Sequence, residues 1–201
     1  MSFLARARTR LRRVGIAFER TYLFKRSAAT VTRGELYDDL DLRIGLVPPA
    51  DIDSLCALGA DNRETWKLRL ERGDECCGAW IGDDLVHYSW IQLEGKHAIT
   101  SAAIEIPLRT GEFWIYNCRT SETHRGRRIY PRTLERIVLD RFAAGSTTAW
   151  IYTTENNIAS QRGVERAGFV RVQALRALRL GQYYRALTPK TTLSRLEQAP
   201  A

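Results

Sequence analysis

A chain of 201 residues, 44% hydrophobic and 27% charged, has room for one packed domain with an appendage and not for two ordinary domains. No apolar run approaches the roughly 18 residues of a membrane-spanning helix, so no crossing of a bilayer is expected. The formal charge of +8 is uneven: residues 1–33 hold nine Lys/Arg against Glu19 alone, residues 34–118 sum to −9, and residues 119–201 sum to +9. The high pI therefore belongs to the N-terminus, and the two halves of the body are expected to face different partners. The four cysteines, with Cys76 and Cys77 adjacent, form no disulfide framework and fit a reduced, cytoplasmic compartment. His87, His97 and His124 come without a Cys-x-x-Cys or His-Glu-x-x-His spacing, which predicts no metal.

Over residues 2–22, Leu4, Ala7, Leu11, Val14 and Phe18 recur at spacings of three and four, with Arg6, Arg13 and Arg20 opposite. The pattern predicts a basic amphipathic helix. Such a helix would adsorb to an anionic membrane surface, or dock on its own domain or a partner; an organellar transit peptide has the same Arg-rich, acid-poor look. Residues 23–40 read as a polar connector, so the expected division is 1–36 helix and connector, 37–187 domain, and 188–201 flexible tail.

Asp41 to Val47 reads as a short strand ended by Pro48 and Pro49, and helical spacing follows at Ile52, Leu55 and Leu58. A second helix is expected from Asn62 to Glu71. The strands Glu75–Ile81 and Leu85–Gln92 flank Gly82-Asp-Asp84, a hairpin signal, and residues 94–103 carry no clear pattern. Strands are expected again at Glu112–Cys118, Thr147–Thr153 and Phe169–Leu180, with a short one at Tyr183–Leu187. Between them lie a helix ending at Gly145 and another capped by Glu155-Asn-Asn157 and closed by Gly168. The order β-α-α-β-β-β-α-β-α-β-β indicates a mixed α/β sheet with helices on both faces.

The most informative stretch is Thr120 to Leu134, which runs from a strand through a basic loop into a helix. Pro131 suits the first helical turn. A helix starting there aims its unpaired N–H groups and positive dipole end into the loop, where Arg125, Arg127, Arg128 and Arg132 add charge and Gly126 lets backbone approach a ligand. The arrangement is that of a phosphate seat.

With these residues in hand, the chain resembles the GNAT acyltransferase superfamily over roughly residues 38–187. The pyrophosphate loop of that family, Gln/Arg-x-x-Gly-x-Gly/Ala, is similar to Arg125-Gly-Arg-Arg-Ile-Tyr130, which keeps the Arg and a neighbouring Gly but has Arg128 and Tyr130 at the two pattern glycines. Glu155-Asn-Asn-Ile-Ala-Ser160 followed by Glu165-Arg-Ala-Gly-Phe169 is similar to the family's following helix and strand.

The resemblance implies a mainly antiparallel mixed sheet with helices on both faces. It also implies direct transfer of an acyl group, acetyl or another, from acyl-CoA to an amine, with no metal. By the same likeness, Gly126, Arg127, Arg128, Ile129 and Tyr130 would cradle the pyrophosphate and Arg125 would flank it. Backbone at Cys118, Arg119 and Thr120 would polarise the thioester, and Asn157 would hold the pantetheine arm or merely cap its helix. Glu112 is the first candidate base, with Glu105 in reserve. The tyrosine that serves the family as acid falls at Val164, so Ser160, Tyr130 and Tyr152 are the candidates for that role. The −9 half is read as the acceptor wall for a small amine or amino sugar, and nucleic acid is not expected as a partner. A second reading is a catalytically silent module that binds a membrane or partner through residues 2–22.

Overall fold

The computed structural model describes residues 15–30, 41–59 and 61–189. The strands are β1 (Ile16–Ser27), β2 (Arg43–Leu46), β3 (Glu75–Ile81), β4 (Asp84–Gln92), β5 (Lys96–Ile99), β6 (Ile104–Pro107), β7 (Glu112–Thr120), β8 (Thr148–Thr154), β9 (Val170–Leu180) and β10 (Tyr183–Ala186). The helices are α1 (Ile52–Leu58), α2 (Arg63–Glu71), α3 (Ile129–Ala143) and α4 (Ile158–Arg166).

Eight strands form one sheet in the order β10-β9-β1-β8-β7-β4-β3-β2, and β5–β6 is a separate hairpin. All neighbours in the large sheet are antiparallel except β7 and β8. Alternation along the strands sends apolar side chains to two layers. On one face Ile91, Phe113, Ile115, Ala149 and Ile151 pack against Leu134, Ile137 and Val138 of α3 and Val164 of α4. On the other, Trp80, Tyr88 and Trp90 pack against Leu55 of α1 and Trp66 of α2, while Trp114 and Trp150 meet Ile99 of the hairpin. Trp66, Trp90 and Trp114 are fully buried, and truncating any one of them to Ala should cost about 3–5 kcal/mol.

The N-terminal reading needs correction. Residues 2–14 lie outside the described residues, but residues 16–22 are strand, not helix, and the folded domain begins at β1 rather than near residue 37. β1 lies between β8 and β9, deep in the sheet. Its charged residues are paired inside the fold: Arg20 donates to Glu155 at 2.7 Å and Glu19 accepts from Arg179 at 2.9 Å. Arg26, 4% exposed, donates to the carbonyl of Ala167 at 2.6 Å and so caps the end of α4. Helical spacing misled at the end of the pattern because β-strand pairing with two neighbours outweighs a local preference. The unpatterned residues after 94 contain the β5–β6 hairpin.

Candidate functional site

The site is set by a divergence. β7 and β8 pair only over Glu112–Trp114 and Thr148–Trp150, although β7 continues to Thr120 and β8 to Thr154. Trp114 and Trp150 stack at the closed end, ring centroids 5.9 Å apart. Just beyond, Asn117 takes φ 46° and the β4–β7 register shifts between Tyr88 and Trp90. A bulge of this kind bends its strand, so β7 turns away from β8 and a cleft opens. Ser121 N–H donates to Val86 of β4 at 2.9 Å. Since successive N–H groups alternate between strand edges, those of Thr120 and Cys118 face the cleft.

The cleft leads to the basic loop. After a short turn at Glu122–His124, Gly126 has φ 81° and Arg128 has φ 58°, and α3 begins at Ile129. Arg128 therefore adopts the left-handed conformation that glycine prefers, at a cost of about 1 kcal/mol or more. Among the described residues no side chain caps α3, so the N–H groups of its first turn are open to a ligand or water. Arg127 and Arg128 are exposed, and Arg125 is exposed and paired with Glu122 at 3.3 Å. Arg132 is buried in α3 and does not stand in the loop.

On the α3 face, Tyr130 reaches under the cleft. Its hydroxyl lies 3.3 Å from Ser160 Oγ of α4 and within hydrogen-bonding reach of the Cys118 thiol. The Cys118 thiol donates to the Tyr116 carbonyl at 3.8 Å. Behind them His87, wholly buried, joins Thr120 Oγ1 at 2.7 Å and Ser89 Oγ at 2.9 Å. Every titratable member is held neutral. Burial pushes the Cys118 thiol up to about 12, lowers His87 to about 3 and raises the Tyr130 phenol well above its usual value. This wall can donate hydrogen bonds and a proton but carries no charge. Asn157 Oδ1 accepts from Ser160 N–H at 3.1 Å, so it caps α4.

The opposite face carries residues that sequence reasoning passed over. His97 of β5 stacks on Trp114 at 4.6 Å between ring centroids and lies against Tyr116 at 5.2 Å and Tyr152 at 5.8 Å, so it covers the point where β7 and β8 part. Beside it, Tyr116 donates to buried Asp74 at 2.5 Å, and Arg72 pairs with Asp74. Arg69 pairs with Asp61 at 2.9 Å and lies over the rings of Trp66, Trp90 and Tyr116. Asp61 and Asp74 of the expected acidic wall are thus each paired with an arginine of the same half. Nothing in the sequence signalled His97, which lies in the unpatterned stretch after residue 94 with no aromatic residue beside it along the chain.

Glu112 is not part of this assembly. It lies at the closed end, where Oε2 accepts from Arg109 N–H at 3.1 Å, about 13 Å along the strand from Tyr116. Glu105 is exposed on β6, away from the main sheet. Phe113 and Trp114, the neighbours of Glu112, enter the two cores while the Glu112 carboxylate turns to the Arg109 backbone.

No protein-family model matches the sequence, and no curated protein matches it. Solved structures do match. The chain superposes on a GNAT-family acetyltransferase from Colwellia psychrerythraea with a TM-score of 0.59 at 13% identity, covering 87% of this chain and 61% of that one. A GCN5-related N-acetyltransferase from Sphaerobacter thermophilus gives 0.60 at 13% identity, with coverages of 92% and 57%. A Bacillus subtilis acetyltransferase in complex with CoA gives 0.50 at 22% identity, covering 67% of this chain and 79% of that one. The chain thus spans about three fifths of the length of the first two.

Proposed function

We propose that this chain, whose fold is that of the GNAT acetyltransferases, transfers an acyl group from acyl-CoA to an amine by direct attack in the β7–β8 cleft. The observation that carries the reading is the continuity of three features: an unpaired strand edge at Cys118 and Thr120, a loop with left-handed Gly126 and Arg128, and the uncapped start of α3. An unpaired strand edge accepts an extended amide-bearing chain as a further strand would. The loop N–H groups, the helix dipole and Arg127 and Arg128 suit the pyrophosphate. In the cleft the amine nitrogen bonds to the acyl carbon, the carbon–sulfur bond breaks, the amine loses a proton, and the departing sulfur takes one. Tyr130 is the donor to that sulfur. Its phenol is neutral at physiological pH and its hydroxyl is held by Ser160 and Cys118, so it stands in for the acid absent at Val164.

The acceptor is read as a small, uncharged-state amine such as that of an amino sugar, and the acyl group as acetyl. The acceptor face has its carboxylates paired with Arg69 and Arg72 and offers tyrosine and tryptophan rings, which favours a neutral polar acceptor over a polycation. A cytoplasmic chain touching an anionic membrane through Arg6, Arg8, Arg10, Arg12 and Arg13 is a separate proposal; liposomes of anionic lipid should retain the full chain more than one lacking residues 1–14. The test of the main reading is calorimetry with acetyl-CoA together with release of free thiol in the presence of small amines. Binding with turnover supports it; no binding and no release removes it.

A further inference from the structure

The acceptor face contains a basic nitrogen with nothing to accept from. Gln92 Nε2 donates to the carbonyls of Glu94 at 2.8 Å and Lys96 at 3.0 Å, which fixes the amide so that Oε1 faces His97. His97 Nδ1 lies 2.7 Å from that oxygen and so must carry the ring proton. Nε2 is then a bare lone pair. It is buried, in a residue only 5% exposed, and among the described residues it has no hydrogen-bond partner. The indole N–H of Trp114, stacked against the same ring, is buried and unmatched too. A buried acceptor and a buried donor without a partner among the described residues cost about 1–3 kcal/mol each, and they sit at the vertex of the cleft, across β7 from Tyr130.

Resting on the acyl-transfer reading, we propose that His97 Nε2 is the base that takes the proton from the attacking amine, and that the acceptor is a primary amine entering between the β5–β6 hairpin and Tyr116. As the nitrogen–carbon bond forms, one amine proton passes to Nε2, giving an imidazolium whose other proton stays on Nδ1, donated to Gln92 Oε1; the Nε2 proton later leaves to solvent as the amide product departs. The sulfur receives its proton from the opposite face, at Tyr130, so the two transfers are divided between the two sides of the sheet. The charged and titratable groups facing His97 are Arg72 and Asp74 from the α2–β3 turn, Tyr116 from β7 and Tyr152 from β8. Burial and then Arg72 hold the imidazole down, to about 4, against the pull of Asp74, so it is neutral at physiological pH.

The experiment measures acetyl-CoA affinity by calorimetry and thiol release with glucosamine, ethanolamine and spermidine, for the full chain and for His97→Asn, whose amide can still donate to Gln92. The expected result is acetyl-CoA affinity within twofold of the parent and turnover lowered about 100-fold or more, with partial recovery of His97→Ala by added imidazole. Turnover of His97→Asn within threefold of the parent overturns the assignment while leaving acyl transfer standing. A parent chain that neither binds acetyl-CoA nor releases thiol overturns both. Should the variants not fold, nitrogen-15 spectra of the intact parent decide: a proton on Nδ1 and a bare Nε2 that shifts when glucosamine is added support the assignment, and a proton on Nε2 or an unmoved signal removes it.

Discussion

Tyr130 and Gly163 form one packing unit: a Cβ built on Gly163 would lie 2.6 Å from Cδ1 of the Tyr130 ring. The Tyr130 ring at the start of α3 is accommodated by the absence of a side chain at Gly163 of α4. Gly163→Ala should therefore destabilise the chain by about 1–3 kcal/mol through overpacking. In a Tyr130→Ala background the same change should cost much less, a coupling that urea unfolding of the four-member cycle measures.

Tyr130→Phe separates packing from chemistry. The ring keeps its place against Gly163, while the hydroxyl that faces Ser160 and Cys118 is lost. Thiol release should fall about 100-fold with acetyl-CoA affinity within twofold of the parent; steady-state kinetics beside calorimetry would show it.

Arg128→Gly relieves a left-handed residue and removes a loop charge at once. Stability should rise by up to about 1 kcal/mol. Affinity for acetyl-CoA should nevertheless fall severalfold, and the fall should shrink as salt is raised. Unchanged affinity at low salt would take Arg128 out of the phosphate seat.

Glu112→Gln should leave turnover within twofold of the parent, because the carboxylate stands at the closed end of the β7–β8 pair bound to the Arg109 backbone. A large loss in thiol release would restore it to the mechanism.

Acid should unfold the chain through its buried histidines. His87 is depressed to about 3 and His97 to about 4 by burial, against an ordinary value of 6.5. A depressed folded value means that the unfolded chain binds more protons between 6.5 and 4, so stability is full above about pH 6.5 and falls as pH drops through that window. Two such groups give a slope approaching about 2.7 kcal/mol per pH unit near pH 5. Urea midpoints across pH 4.5–7 should show it, with His97→Asn shallower by about one proton.

The strands and helices from Arg43 onward were largely legible in the sequence because their signals are local. Asn62 and Asn157 each accept from an N–H in the first turn of the helix that follows, and the loop before α3 announced itself by Gly126 and its arginines. Val164 in place of the expected tyrosine was equally plain.

Local signals also failed where pairing partners lie far away. Ile16–Ser27 becomes strand through bonds to β8 and β9, more than a hundred residues distant, and no periodicity within the segment records that. The acidic and basic halves looked like separate surfaces until Glu75 of one was found paired with Arg141 of the other.

What the sequence by itself determined is the element order after residue 41, apart from the β5–β6 hairpin, and a basic loop at the start of α3, because propensity, caps and turn residues act over a few positions. Only the tertiary structure decided where chemistry can occur. The parting of β7 from β8, the bulge at Asn117 and the stacking of His97 on Trp114 arise from contacts among separate strands. They place Tyr130, and not Glu112, beside the cleft, since reach across a cleft depends on which strand edges stay paired and not on spacing along the chain.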